Sequence, residues 1–289
     1  MVLHLVRIGG ITLLLVLCMI YPFLPGKYDG LAAPLSTTAQ ILSVAGLLLT
    51  PIGALWLADE VRKRARAPGT LAATNCGYYF ALTYLITASI LTVAVSLVVC
   101  LGISVVIGVL ALAVWIYAVS GMPAKLKRLK QTEDTKINPV SFYLVILPIA
   151  ALLFQTMFSA AATEFSRNYA IAKSAELINE IERRHAMYGR YPTSLQAIWK
   201  DYHPTVVGIE QYHYAPNGQT YNLFFEQPKF LLKNFGTREI VVYNNRDEHV
   251  IPSHVGWILT WSPEQLAANQ GWYAVHDAGR PHWKYFWFD

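Results

Sequence analysis

Charge is what this chain has least of. Asp, Glu, Lys and Arg make up 14% of its 289 residues, against roughly a quarter in a soluble domain. The deficit lies in about the first 160 residues, where apolar runs of membrane-spanning length recur. Cysteine is nearly as scarce. Cys18, Cys76 and Cys100 all fall in that apolar half, so no disulfide can staple the remainder. Asn-x-Ser/Thr is missing, which suits a bacterial envelope protein. Nucleophile elbow, H-E-x-x-H, P-loop and dinucleotide fingerprint are missing too, so no familiar reaction can be assigned.

The net charge of +5 is unevenly placed. Through residue 161 there are 11 Lys and Arg against 5 Asp and Glu; beyond it there are 12 against 13. The basicity belongs to membrane loops, where it sets orientation. No basic stripe is left in the tail to bind nucleic acid.

Five spans are expected, at 8–24, 39–57, 78–98, 102–120 and 140–161. His4 and Arg7 form a thin basic leader before the first, and "GLAAP" follows it. A cleaved signal peptide is the alternative there, but the apolar stretch is long for one. The uncharged run from Gly77 to Gly121 would measure about 67 Å as a single helix, over twice the hydrocarbon thickness, so it is divided near Cys100–Gly102. "RKRAR" precedes that run and "KLKRLK" follows it. With both on the cytoplasmic side, the N-terminus is inside and the loop around Lys27 and Asp29 is outside. Loops 59–77 and 121–139 are then inside, and the tail from 162 to 289 is outside. Ser104, Gly108 and Ala111 form a small-residue stripe suited to close helix contact. The spans hold no charge at mid-depth, and Gln155 is their strongest polar group, which disfavours an ion-coupled transporter.

The tail opens as a helix. From Ala162 to Tyr188, Ile171, Ser174, Ala175, Ile178, Ile181 and Tyr188 share a face with Leu177 on its flank, and Glu180 and Arg184 pair on the wet side. Gly189 supplies a left-handed stop and Pro192 turns the chain. Thr193 and Gln196 have capping-box spacing for a short helix from Ser194 to Lys200. The period then becomes two. "QYHYA" and "TYNLFFE" make a hairpin about Asn217-Gly218, and "REIVVY" with "EHVIP" makes a second. "SPEQLAANQG" is a capped helix stopped by Gly271, and "GWYAVH" and "HWKYFWF" are the last strands.

An apolar helix containing Pro148 runs into an amphipathic one, ends in Tyr188-Gly189-Arg190-Tyr191-Pro192-Thr193, and is followed by antiparallel strands. Over about residues 140–225 this resembles the type IV pilin and type II secretion pseudopilin family, in which a long N-terminal helix packs on such a sheet. The resemblance implies a pilin-like fold with a structural corner at Gly189, Tyr191, Pro192 and Thr193. Four spans precede this helix, and it lacks the family's acidic residue, so filament-assembly chemistry does not carry over.

Seven of eight histidines lie in the tail, but His249 with His254 and His276 with His282 match no usual metal-ligand spacing. Asn244, Asn245, Asp247 and Glu248 make an oxygen-rich turn with too few carboxylates for calcium. No catalytic residue, metal or cofactor is assigned. Trp257, Trp261, Trp272 and Tyr273 add to an aromatic-rich tail. On the closing strand, alternation puts Trp283, Tyr285 and Trp287 on one face and Phe286 and Phe288 on the other. One face is expected to cover the core and the other to meet a partner.

The expected fold is a five-span α-helical membrane bundle (1–139 plus the fifth helix, 140–161) with an extracytoplasmic pilin-like α+β domain (162–289). Its place is the cytoplasmic membrane, with the tail periplasmic in a bacterium. The expected function is non-enzymatic presentation of that domain to an envelope protein or glycan, with the lipid bilayer as the other partner. A membrane enzyme of envelope glycan or lipid working where bundle and domain meet, and a sensor or transport accessory subunit, are the alternatives.

Overall fold

The computed structural model describes residues 2–65, 76–131, 138–198, 200–233, 236–249, 262–268 and 274–288. It is mostly helical, with five long apolar helices and a separate antiparallel sheet. The chain divides into two compact units: Met1–Met19 with Pro34–Met157, and Ile20–Ala33 with Phe158–Asp289.

The apolar segments long enough to cross a membrane are Leu3–Phe23, Ala32–Arg62, Cys76–Gly102, Val105–Lys127 and Pro139–Tyr188. They are built from α1 (Val2–Ile20), α2 (Ala32–Gly46) with α3 (Thr50–Ala65), α4 (Cys76–Gly102), α5 (Val105–Ser120) running toward α6 (Met122–Gln131), and α7 (Pro139–Tyr188). In the first unit, α4 and α5 form a hairpin. Ser104 caps α5, its Oγ accepting from Ile107 N–H. A Cβ on Gly108 would lie 2.3 Å from Cys100 Sγ and 2.8 Å from Ser96 O, so the small-residue stripe serves contact inside the hairpin. A buried polar relay links three helices. Ser36 Oγ donates to Met19 O (2.6 Å), Gln40 Nε2 to Ser36 Oγ (3.0 Å) and Gln155 Nε2 to Gln40 Oε1 (3.1 Å). Where there is no water, such groups have to find each other.

In the second unit, the later part of α7 buries Thr163, Ser166, Arg167, Ala170, Ile171, Ser174, Leu177 and Ile181, a helical stripe. Leu177 lies in the stripe rather than on its flank, while Ala175 and Tyr188 are exposed. The stripe packs on a five-stranded antiparallel sheet of order β1-β2-β3-β5-β4: β1 His213–Asn217, β2 Thr220–Gln227, β3 Arg238–Asn244, β4 Ala274–Asp277, β5 Trp283–Phe288. Tyr221, Leu223, Phe225, Val241 and Trp283 form the helix-facing core. Asn217 pairs with Thr220, which puts Gly218 (φ +62°) first in a two-residue turn, where hairpins favour Gly.

Two local expectations are corrected. The helix after Ser194 is only a 3-10 turn, Leu195–Ala197, and Ser194 makes no side-chain cap. The chain leaves it at once because Ile198 enters the core. The second hairpin is not made with "EHVIP". The partner of β3 is β5, with Val241 opposite Tyr285, while Glu248 and His249 are not in a strand and 250–252 lie outside the described residues. The side chain of Asn244 accounts for this. Its Oδ1 accepts from Arg246 N–H (2.9 Å) and Glu248 N–H (3.1 Å), turning the chain away from the sheet. The last helix, α8, is Pro263–Ala268, capped by Ser262 and Gln265 reciprocally. Its expected stop, Gly271, lies outside the described residues, as do His254, Trp257, Trp261, Trp272 and Tyr273.

The second unit also takes in Ile20–Ala33, the segment after α1. It lies antiparallel to 205–209. Gly26 N–H donates to Thr205 O (2.9 Å), Val207 N–H to Leu24 O (2.9 Å), Asp29 N–H to Val207 O (3.0 Å) and Gly208 N–H to Pro22 O (2.8 Å). Phe23 stacks on Phe230 with ring centres 4.7 Å apart, both buried. Gly208 is required for this approach, since a Cβ there would meet Pro22 O at 2.6 Å. Gly208→Ala should therefore cost about 1–3 kcal/mol through overpacking. Gly30→Ala, with its nearest neighbour at 3.7 Å, should stay within about 0.5 kcal/mol. Thermal melting of the full-length protein in detergent measures both, and equal melting points would mean that the segment is not seated.

Candidate functional site

Most side chains of the second unit's helix-facing surface are apolar, but one end of it is polar and buried. Glu239, fully buried on central strand β3, stands opposite Gln227 on β2 and Trp287 on β5. Arg167 comes from the α7 stripe and donates to Glu239 Oε1 from Nε (3.1 Å) and Nη2 (2.5 Å). Trp287 Nε1 donates to Oε2 at 2.8 Å. The guanidinium carbon lies 3.8 Å from the centre of the Tyr285 ring, a cation–π contact. Gln227 Nε2 donates to Ser166 Oγ (2.5 Å) and Thr163 O (3.3 Å). Both Glu239 oxygens are thus engaged by strong donors, which suits structure better than proton transfer.

Two lysines flank the cluster. Lys229 donates to Thr237 Oγ1 at 2.5 Å, and Lys233 Nζ sits 5.8 Å from the centre of the Trp287 ring. Burial lowers Lys229 to about 8, with Glu239 opposing that shift and Lys233 reinforcing it. Burial lowers Lys233 as well. His276 stacks on Tyr285 (4.8 Å) and against Trp287 (4.5 Å).

The residues singled out on the closing strand separate here. Trp283 is core, and Tyr285 and Trp287 are half-buried parts of the polar cluster. Phe286 is only 1% exposed, on the other side of the sheet, with the His249 ring edge-on at 6.1 Å. The expectation that Phe286 offers a partner surface is therefore corrected: that side is covered too, with Ile240 and Val242 also buried. Phe288 pairs with Arg238 across the ladder; its side chain lies outside the described residues.

At the corner, Gly189 has φ +66°. Tyr191 stacks on His185 (4.0 Å), accepts from Asn245 Nδ2 (2.7 Å) and donates to Glu182 Oε2 (3.3 Å). Pro192 O accepts from Tyr214 OH (2.8 Å), and Thr193 is exposed. In the oxygen-rich turn, Asn244 Oδ1 accepts from the chain's own N–H groups, Asn245 Oδ1 from Thr220 Oγ1 (2.6 Å), and Asp247 Oδ2 lies 3.2 Å from His282 Nδ1. Among the described residues, no group of three His, Cys, Asp or Glu is placed to hold a metal ion. A cleft of about 340 Å³ runs along Leu177, Ile198 and Tyr212. Of its charged lining, Lys200 pairs with Glu176, and His203 with Asp201.

The sequence carries a signal for Arg167 and Glu239. Arg167 falls in the helical stripe with Ala170, Ile171 and Ser174, and Glu239 alternates with Val241 and Tyr243. A charge at an inward position of each element signals a buried pair. Comparison with family models, curated proteins and solved structures finds no match.

Removing one partner of a buried pair strands the other. Arg167→Met should cost about 3–5 kcal/mol, and adding Glu239→Gln should recover part of it. Thermal melting of the full-length variants tests this, and an unchanged single mutant would place the pair in water.

His276 gives a pH signature. Burial, the largest influence, lowers its pKa from 6.5; Glu239 opposes this, and Arg167 and Lys233 add to it. The unfolded chain takes the proton first, so this contribution is full above pH 6.5 and is lost as pH falls below it. His276→Phe, which keeps a ring for stacking, should flatten melting temperature against pH between about 7 and 5 relative to the wild type. Parallel curves would mean that His276 is solvated.

Proposed function

We propose that this is an integral membrane protein of the cell envelope that presents its C-terminal α+β domain, pilin-like in helix, corner and sheet, outside the cytoplasmic membrane. There it binds an envelope protein or glycan without catalysing a reaction. The observation that carries the common side of the first loop and the tail is the ladder between Ile20–Ala33 and 205–209. Segments joined by backbone hydrogen bonds lie on one side of a membrane. The two basic loops independently ask for this: with "RKRAR" and "KLKRLK" inside, the loop after the first span and the tail are both outside. The pilin likeness rests on α7 packing its stripe on an antiparallel sheet, with Gly189 left-handed at the corner. The partner reading has the support of a sheet that ends, among the described residues, at β1 and β4, edges of the kind to which an extended segment can add.

Single cysteines at Lys27, Asp201 and Lys125, in a background without the native three, test the orientation with an impermeant maleimide. Lys27→Cys and Asp201→Cys should label in intact cells, and Lys125→Cys only after permeabilisation. Labelling of Lys125→Cys alone in intact cells would invert the topology and remove the envelope reading. Recovery of a stoichiometric envelope component with the native protein supports the binding role, and recovery of the protein alone counts against it.

A further inference from the structure

The loop from Pro228 to Lys233 carries two features. Phe230 points inward and stacks on Phe23, the last residue of the first apolar span, Leu3–Phe23. Leu232 points outward and is 50% exposed, between the half-buried lysines 229 and 233. Lys233 reaches over Trp287. Tryptophan and lysine beside an apolar tip, next to a ring stacked on the residue that ends an apolar span, are the residue types that settle in the interface of a bilayer.

We propose that Pro228–Lys233 is a lipid-contact loop, with Leu232 at the headgroup–acyl boundary and Lys229 and Lys233 on the phosphates of anionic lipids. The assignment rests on the reading that Leu3–Phe23 crosses the membrane, since Phe230 stacks on the residue that ends that span. The chemistry fits. Desolvation raises the cost of both ammonium charges, and a phosphodiester anion offsets it where water is thin. An exposed leucine that gains nothing in water gains by shallow burial.

The test uses the full-length protein in vesicles, with a polarity-sensitive fluorophore on one cysteine at a time and lipids carrying quenchers at known depths. At Leu232→Cys the emission should be blue-shifted and quenched by shallow lipids. At Asn217→Cys, exposed by the turn at the far end of β2, it should be water-like and unquenched. The native Cys18, labelled with the other two cysteines replaced, should respond to deep quenchers and so checks the span itself. With the Leu232→Cys label in place, Lys229→Gln and Lys233→Gln should each raise the phosphatidylglycerol fraction needed for half-maximal quenching by about five-fold, and an unchanged lipid dependence overturns the phosphate contact. Inorganic phosphate at constant ionic strength should leave the signal unchanged.

A water-like Leu232 label beside a quenched Cys18 label overturns the loop assignment and leaves the span standing. An unquenched Cys18 label removes the span and the proposal with it. Quenching at both Leu232 and Asn217 means that the sheet lies on the lipid, which overturns a specific loop. Competition by phosphate moves the ligand from lipid to a soluble anion and overturns the lipid assignment.

Discussion

A carboxylate with no exposure, on the central strand of a small sheet, constrains everything around it. Glu239 is tolerable only where Arg167 and Trp287 can both reach it. Those donors sit on a helix and on the neighbouring strand, so three elements are fixed against one another by a single group. A slip of one residue between β3 and either neighbour would turn Glu239 to the opposite face and leave Arg167 buried without an anion. Hydrophobic matching alone opposes that slip only weakly, because Ile240 and Val242 would take the inward places of Glu239 and Val241. The ion pair contributes discrimination between registers more than net stability.

The same sheet limits what can act as a recognition surface. Its helix side is filled by the α7 stripe, and Phe286, Ile240 and Val242 are buried on the other side. Aromatic density in the closing strand is therefore chiefly packing. Under the proposed binding role, recognition would fall to strand edges, turns and loops, where specificity lies in backbone hydrogen bonds and a few projecting side chains.

What could be read from the sequence followed the range of the interaction. The five apolar segments, the Asn217-Gly218 hairpin, the Ser262 cap and the left-handed Gly189 are set by residues a few places apart, and periodicity or a turn signal exposes them. The pairing of β3 with β5 joins residues forty or more apart, and local order pointed to the nearer "EHVIP" instead. Burial of Phe286 depends on what covers the second face, which alternation along one strand does not state. The Arg167–Glu239 pair lay between: each residue sat at an inward position of its own element, and only the conjunction gave it meaning.

The seating of Ile20–Ala33 against 205–209 has a consequence in time. About 180 residues separate Gly26 from Thr205, which at 5–20 residues per second is roughly 10 to 35 seconds of synthesis. One strand of this contact is synthesised long before the other exists. The C-terminal unit therefore completes itself against a segment already made, with Phe230 stacking on Phe23. A fragment that starts after Ala33 lacks that segment, and supplying Ile20–Ala33 as a separate peptide would restore it.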